Sequence, residues 1–451
     1  MSKYNRSKPT GAAAILAAAS LLLLSVSAVA QSSDVLPIVS NTALTYDQAL
    51  SIAMADNIDL KIAQENADIS AANTASAKAS LQPSISITSY GAYGDSSNIL
   101  SSSPGVSPAN ELSASPGSFA DQNLTLSLPL LTSGKLQKQI LSTRLMHDSL
   151  LLSAADSKLT VSEAVIENYT SAALDKELVN VAQARLDAES EQVRITQQSV
   201  DQGHAAPVDL LREQAELADA GQAVLSTKND EQLALIALKD ILGISQSSTL
   251  ALSDSLDSLM AQLTPPGTLA SALAAADKSS PALKSAEYAE QSAAADTDAA
   301  KTSFEPQVFG LVMGDASAMR GGNHSGYTIG IAASLPLYDA GQRRDQVDQA
   351  KSKQDIAVDE AKKVMQEVER NTAAAWLNLQ SADAEVDSAA KGVDAAQQSF
   401  TLADMRYNAG KSIAAERLDA LSALVRAKES LDSAKKTSII ARAKLVEAIG
   451  S

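Results

Sequence analysis

The chain has no cysteine among its 451 residues. That excludes a disulfide framework, and with it the lipid-accepting cysteine that follows the leader of a bacterial lipoprotein. Aromatic residues make up only 3% of the chain, including one Trp and four Phe, too few for a large conventional core; the composition suits layers of Ala-rich helices instead. Basic residues number 36 against 53 acidic ones, for a formal net charge of -17. Such a surface lacks the basic patch that a nucleic-acid partner requires. Beyond the first thirty residues no apolar run is long enough for a spanning helix. If the rest of the chain enters a membrane, it does so as strands.

Catalytic and metal-binding patterns are missing as well. His147, His204 and His324, the three histidines, stand far apart and have no ligand spacing with acids. Gly410-Lys411-Ser412 resembles the end of a phosphate-binding loop, but Met405 occupies the place of the required earlier glycine, so the segment reads as a helix turn. No serine lies in a nucleophile-elbow context. Met313 and Met319 are the one close methionine pair, too little for a soft-metal pathway. The chain reads as a non-enzyme without cofactor or metal.

What is present begins with Met1 to Ala30: Lys3, Arg6 and Lys8, an apolar run from Ala12 to Leu24, then Ala28-Val29-Ala30. This is the pattern of an export leader cleaved after Ala30. Its removal takes the formal charge from -17 to -20.

The main organising stretch runs from Leu335 to Gly410: Leu335-Pro336-Leu337-Tyr338-Asp339-Ala340-Gly341, a long proline-free segment, then Arg406-Tyr407-Asn408-Ala409-Gly410. As one helix the middle part would be roughly 100 Å long. Its seam steps in threes and fours through Val358, Ala361, Met365, Val368, Thr372, Ala375, Leu379, Ala382, Val386, Ala389, Val393, Ala396, Phe400, Ala403 and Tyr407. Larger side chains mostly alternate with alanine, so nearly parallel partner helices can approach closely.

The unit occurs twice. Leu128-Pro129-Leu130, Gly134, Gly203 and Leu242-Gly243 stand 207 residues before Leu335-Pro336-Leu337, Gly341, Gly410 and Ile449-Gly450. Leu151, Val165, Val179, Leu186, Val193 and Val200 repeat the larger seam positions, with Lys158 interrupting. Upstream, Ala49-Leu50, Leu60-Lys61 and Pro83 match Ala272-Leu273, Leu283-Lys284 and Pro306 at an offset of 223. The boundaries that follow are a leader at 1–30 and a first repeat at 31–243, with strands about 84–94 and 122–131 and long helices about 135–202 and 207–242. A linker at 244–267 precedes a second repeat at 268–451, with strands about 307–314 and 326–337 and long helices about 342–409 and 415–449.

Ile85 and Ile87, then Tyr90 and Tyr93, precede a loop, and the chain returns through Leu124, Leu126, Leu128 and Leu130 with small polar residues between. Tyr327, Ile329, Ile331, Ala333 and Leu335 alternate in the same way. Strict alternation is a strand pattern, so each repeat carries one hairpin. Four strands cannot close a barrel, and lipid does not tolerate an open sheet edge. Either several copies combine in a membrane, or the hairpins cap a water-soluble coiled coil.

The paired Leu-Pro-Leu-x-x-x-Gly runs, Ala49-Leu50 with Asn57, and Arg406-Tyr407-x-x-Gly410 resemble the TolC family of bacterial outer-membrane efflux proteins. The likeness covers about Leu44 to Gly450. It implies a mainly α chain with a membrane β-hairpin pair, a duplicated helix–hairpin–helix repeat, and a homotrimer. In that trimer a twelve-stranded β-barrel in the outer membrane continues as a long periplasmic α-helical barrel. It implies a passive exit duct for efflux or type I secretion, joined through a periplasmic adaptor (a membrane fusion protein) to an inner-membrane pump and surrounded by outer-membrane lipid.

By position, the resemblance makes Tyr407 and Asp209 gate residues and Glu416 and Asp419 an acidic constriction. The adaptor-contact tips fall at Gly203 and His204 and at Gly410, Lys411 and Ser412. Ser412 departs from the family pattern, which has a gate arginine there. The competing reading is a periplasmic coiled-coil adaptor, which would call for a β-rich lipoyl-like domain around one hairpin. A general porin would call for more strands per chain.

Overall fold

The structure, a computed structural model, describes residues 40–94, 117–262, 267–319, 322–409 and 411–450. The leader expected at 1–30, the Pro265-Pro266 pair and Gly410 lie outside the described residues. No described helix is long and apolar enough to cross a membrane.

A short strand, β1 (Ser40–Leu44), leads into helices α1 (Tyr46–Asp56) and α2 (Ile58–Ala79). The break between them is set by Asn57, which caps α2 by accepting from Leu60 N–H at 3.1 Å and donates to Ile241 O at 2.8 Å. A hairpin of β2 (Ser84–Gly94) and β3 (Gly117–Leu131) follows, then the long α3 (Lys135–Asp201) and α4 (Pro207–Ile241). Next come β4 (Thr249–Leu252), α5 (Leu256–Gln262), α6 (Leu269–Ser279), α7 (Pro281–Lys301), the hairpin β5 (Gln307–Met319) and β6 (Gly322–Ser334), α8 (Gln342–Asn408) and α9 (Ala414–Ala448). The two long helices have 67 residues each and their returning partners 35 each. At about 1.5 Å per residue, α3 and α8 each run roughly 100 Å.

Both long helices start from a glycine in the left-handed region, Gly134 at φ 85° and Gly341 at φ 95°. The alanine-bearing seam of α8 is buried at Ala361, Thr372, Ala375, Leu379, Ala382 and Ala403, while Met365 stays 40% exposed. In α3 the expected seam holds at Val165 but Leu151 is exposed, and the buried positions toward the C-terminal end are Glu189, Gln192 and Thr196. Hydroxyls stitch closely approaching helices. Thr74 donates to Thr143 O at 3.0 Å, and Thr297, 223 residues on, donates to Ala350 O at 3.1 Å.

The four long strands form one antiparallel sheet in the order β2-β3-β5-β6. Register carries Ile85, Leu126, Val312 and Ile329 across one rung, and Ile87, Leu124, Gly314 and Tyr327 across another. Residues directly opposite share a face, so one face is apolar and open: Ile85, Ile87, Tyr327, Ile329 and Ile331 are all exposed. The intervening rungs carry Ser86-Thr125-Met313-Thr328 and Thr88-Asn123-Asp315-Gly326. Tyr90 pairs with Asp121 on this polar face.

Several sequence expectations need correction. β3 begins at Gly117, not near 122, and β5 continues to Met319, not 314, because backbone pairing extends beyond the apolar band into the polar ends. β6 stops at Ser334, not 337, leaving Leu337 and Tyr338 each 88% exposed. Pro336 has no N–H to give to a ladder. β3 passes its own proline only with a register shift between Pro129 and Leu131.

The polar lead and the 244–267 linker are not simple connectors either. β1 pairs in parallel with β4, and Leu256 and Leu259 of α5 enter the main core. Tyr169 of α3 binds this pair: its hydroxyl donates to Leu44 O at 2.6 Å, its ring meets Tyr46 edge-on at 6.2 Å, and burial pushes its pKa up to about 12. A second, smaller core joins Ala272 and Ala276 of α6 to Ala375, Leu379, Leu445 and Ile449.

Candidate functional site

The ends of the α3–α4 and α8–α9 hairpins hold the residues expected to matter. At the first, Gly203 adopts φ 75° and His204 N–H reaches back to Ser199 O at 2.8 Å. At the second, Lys411 N–H reaches Arg406 O at 2.9 Å. Both are six-to-one closures of a helix end, which at the first the left-handed Gly203 permits. Pro207 opens α4 at a position where its missing N–H costs nothing. Gly203, His204 and Lys411 are exposed. Ser412 is half-buried and its hydroxyl donates to Ile413 O at 3.3 Å. Val208, Leu211, Met405 and Ile413 add exposed apolar side chains around these turns.

Just inside the turns the two hairpins meet through Tyr407. Its hydroxyl accepts from Gln192 Nε2 at 3.1 Å, and Gln192 also donates to Thr196 Oγ1 at 3.2 Å. Arg417 lies over the Tyr407 ring at 5.9 Å and the Phe400 ring at 5.9 Å, while its Nε donates to Asp404 Oδ1 at 2.8 Å. The guanidinium therefore clamps the end of α8 onto the start of α9, combining an ion pair with two cation–π contacts.

Glu416 and Asp419 share one side of α9, as their spacing requires, but their charges are not equivalent. Glu416 Oε1 accepts from Arg406 NH1 at 2.7 Å, so an internal cation matches its charge; Asp419 is exposed. Asp209 lies half-buried in the first turn of α4. The structure thus joins Tyr407 to Gln192, and Glu416 to Arg406.

Sequence reasoning missed a buried pair beside this cluster. Glu189 on α3 and Glu213 on α4 are 2% and 1% exposed, and Oε2 of each has no hydrogen-bond partner. Burial pushes both carboxyls above the usual carboxylate range; Arg185 and Arg417 oppose the rise at Glu189, and the neighbouring Glu189 adds to it at Glu213. Arg185 and Glu216 bridge the same two helices at 3.2 Å, one turn away. The spacing Glu189-Gln192-Thr196 is itself a helical stripe, and it could have been read as a polar seam.

A model of the family described as outer membrane efflux protein matches residues 49–244 and 272–451. The outer membrane efflux protein BepC of Brucella suis is 24% identical over 282 residues, which span 61% of this chain and 60% of BepC. The probable efflux pump outer membrane protein TtgC of Pseudomonas putida is 23% identical over 411 residues, 89% of this chain and 82% of TtgC. In fold, the chain is similar to CusC, with a TM-score of 0.73 at 17% identity, covering 90% of this chain and 92% of that one. It is also similar to the open-state MtrE outer membrane channel of Neisseria gonorrhoeae, with a TM-score of 0.72 at 20% identity over 90% and 89%. The strands that present an open apolar face, the long helices that follow them and a family match over most of the length agree: this chain belongs to the outer membrane efflux protein family, whose members are outer-membrane channels with a periplasmic helical portion and not enzymes.

Proposed function

We propose that three copies of the chain close their sheets into one twelve-stranded barrel, continued into the periplasm by the paired long helices as a passive exit duct. An inner-membrane pump would deliver substrate through a periplasmic adaptor. The observation that carries this reading is the sheet itself: one face is apolar across all four strands, the other is mostly small or polar with Phe309, Leu311 and Met313 of β5 among them, and the terminal strands β2 and β6 each have one neighbour among the described residues. Strands of 11 to 15 residues are long enough to span an outer membrane when tilted. Open edges in lipid are untenable, so closure must come from further copies.

The matching offsets of helix lengths, caps and the Thr74 and Thr297 bonds support an internal duplication at 31–243 and 268–451, with 244–267 as its structured junction. In this reading the turns that hold Gly203 and His204, and Gly410, Lys411 and Ser412, meet the adaptor. Tyr407, held by Gln192, and Asp209 take part in the gate. The mass of the purified protein in mild detergent tests the assembly: a trimer is expected, and a stable monomer would refute it.

Charge at the constriction gives a second expectation. Arg406 already neutralises Glu416 within the chain, whereas Asp419 would add its charge to a ring around the trimer axis, as acidic rings do in cation channels. Asp419→Asn should therefore reduce cation preference in planar bilayers more than Glu416→Gln does. Unchanged selectivity in the double variant would remove both residues from the constriction.

A further inference from the structure

We propose that the buried carboxyls of Glu189 and Glu213 retain a proton that keeps the α8–α9 hairpin packed against α3–α4, so that losing it loosens the tip. The inference rests on the exit-duct reading for its consequence, though its chemistry stands on the helix packing alone. Two carboxylates in one dry site cannot both ionise cheaply, because each loses hydration and repels the other. A pair in that position titrates as a unit.

The surroundings define what the charge would act upon. Arg185 projects from α3, Asp209 and Glu216 from α4, and Arg417 from α9; each acts electrostatically on one or both of the pair. Arg185 is already paired with Glu216. Arg417 is already paired with Asp404 of α8 and lies over Tyr407. Both cations already have a carboxylate partner, and Glu189 and Glu213 each keep an oxygen without a hydrogen bond.

One turn of α3 beyond Glu189 comes Gln192, the donor to Tyr407. With a proton on the pair, the site stays dry and the Gln192–Tyr407 contact holds. With both carboxylates ionised, water must enter between the hairpins to solvate them, and it enters beside that contact. The proton is released to solvent and no covalent bond changes. Low pH therefore favours the packed tip and high pH the loosened one.

The sign for stability runs the same way. A carboxyl raised by burial contributes stability that is fully present below its unfolded value and is lost as pH rises through its folded value. The test uses the purified full-length protein with Glu189→Gln and Glu213→Gln, singly and together; each is isosteric with the protonated acid. The variants should match the parent in thermal midpoint at about pH 4.5 and exceed it by about 2 °C or more at about pH 8.

In planar bilayers the parent's conductance should be higher at about pH 8 than at about pH 5, and the double variant should stay at the lower value throughout. A midpoint gain independent of pH, an unaltered conductance profile, or a double variant fixed at the higher conductance would each overturn the proposal. Absence of any conductance in the parent would instead count against the exit duct, and the thermal measurement would still decide whether the buried carboxyls retain a proton.

Discussion

Ile329→Arg is expected to abolish stable assembly in the outer membrane, whereas Thr328→Arg, one residue away, should assemble and change only conduction. Ile329 lies at the apolar face of β6, 71% exposed and in register with Val312 and Leu126. Thr328 lies on the opposite face, across from Met313. An arginine turned toward lipid near the midplane costs about 2–4 kcal/mol per strand, and threefold symmetry would repeat that cost in every copy. A lumen-facing arginine meets water, so its charge costs little and alters the ion path. Outer-membrane fractionation, with the heat-sensitive oligomer as readout, separates the cases. If the two variants behaved alike, the apolar face would not be the lipid face.

The second large effect is expected far from the strands, at Gly243→Ala. Gly243 ends α4 at φ 69°, and a Cβ built there would lie 2.5 Å from Asp56 O and 2.9 Å from Asp56 C. Those atoms belong to the joint between α1 and α2, which Asn57 fastens to Ile241. The left-handed conformation alone costs an alanine about 1–2 kcal/mol, and forcing backbone away from backbone adds about 1–3 kcal/mol. A combined loss of about 3 kcal/mol is expected, read as a lowered thermal midpoint and a reduced yield of folded protein.

Gly203 is the control. It has nearly the same φ, 75°, but nothing lies within 4 Å of its built Cβ, so Gly203→Ala should show the conformational part alone, about 1–2 kcal/mol. Equal effects at the two glycines would contradict the close approach at Gly243. Gly450 repeats that approach, with a built Cβ 2.8 Å from Ser280 Cα.

The sites of these glycines, the four long strands and the two long helices could all be read from the order of residues. Each rests on local physics: period-two alternation, heptad stepping, and glycine where a left-handed residue closes a helix. The stripe through Thr372, Ala375, Leu379 and Ala382 was readable because small and larger apolar residues alternate along a single helix. The strand ends were less readable, since pairing depends on backbone groups and Pro336 ends β6 earlier than its alternation suggests.

Sequence by itself determined the architecture's units, because periodicity and turn chemistry act over a few residues. Only the tertiary structure decided which units meet. β1 pairs with β4 across roughly two hundred residues with no local mark of the partnership. The tip shows the same division. Tyr407 was identifiable from the segment around it, but its bond to Gln192 joins residues 215 apart. Glu416 and Asp419 looked alike in sequence until Arg406, brought in by the helix turn, matched one of them. Glu189 and Glu213 were not singled out in the sequence. Burial is a property of what packs over a side chain, and in the folded chain Glu189 and Glu213 are left only 2% and 1% exposed.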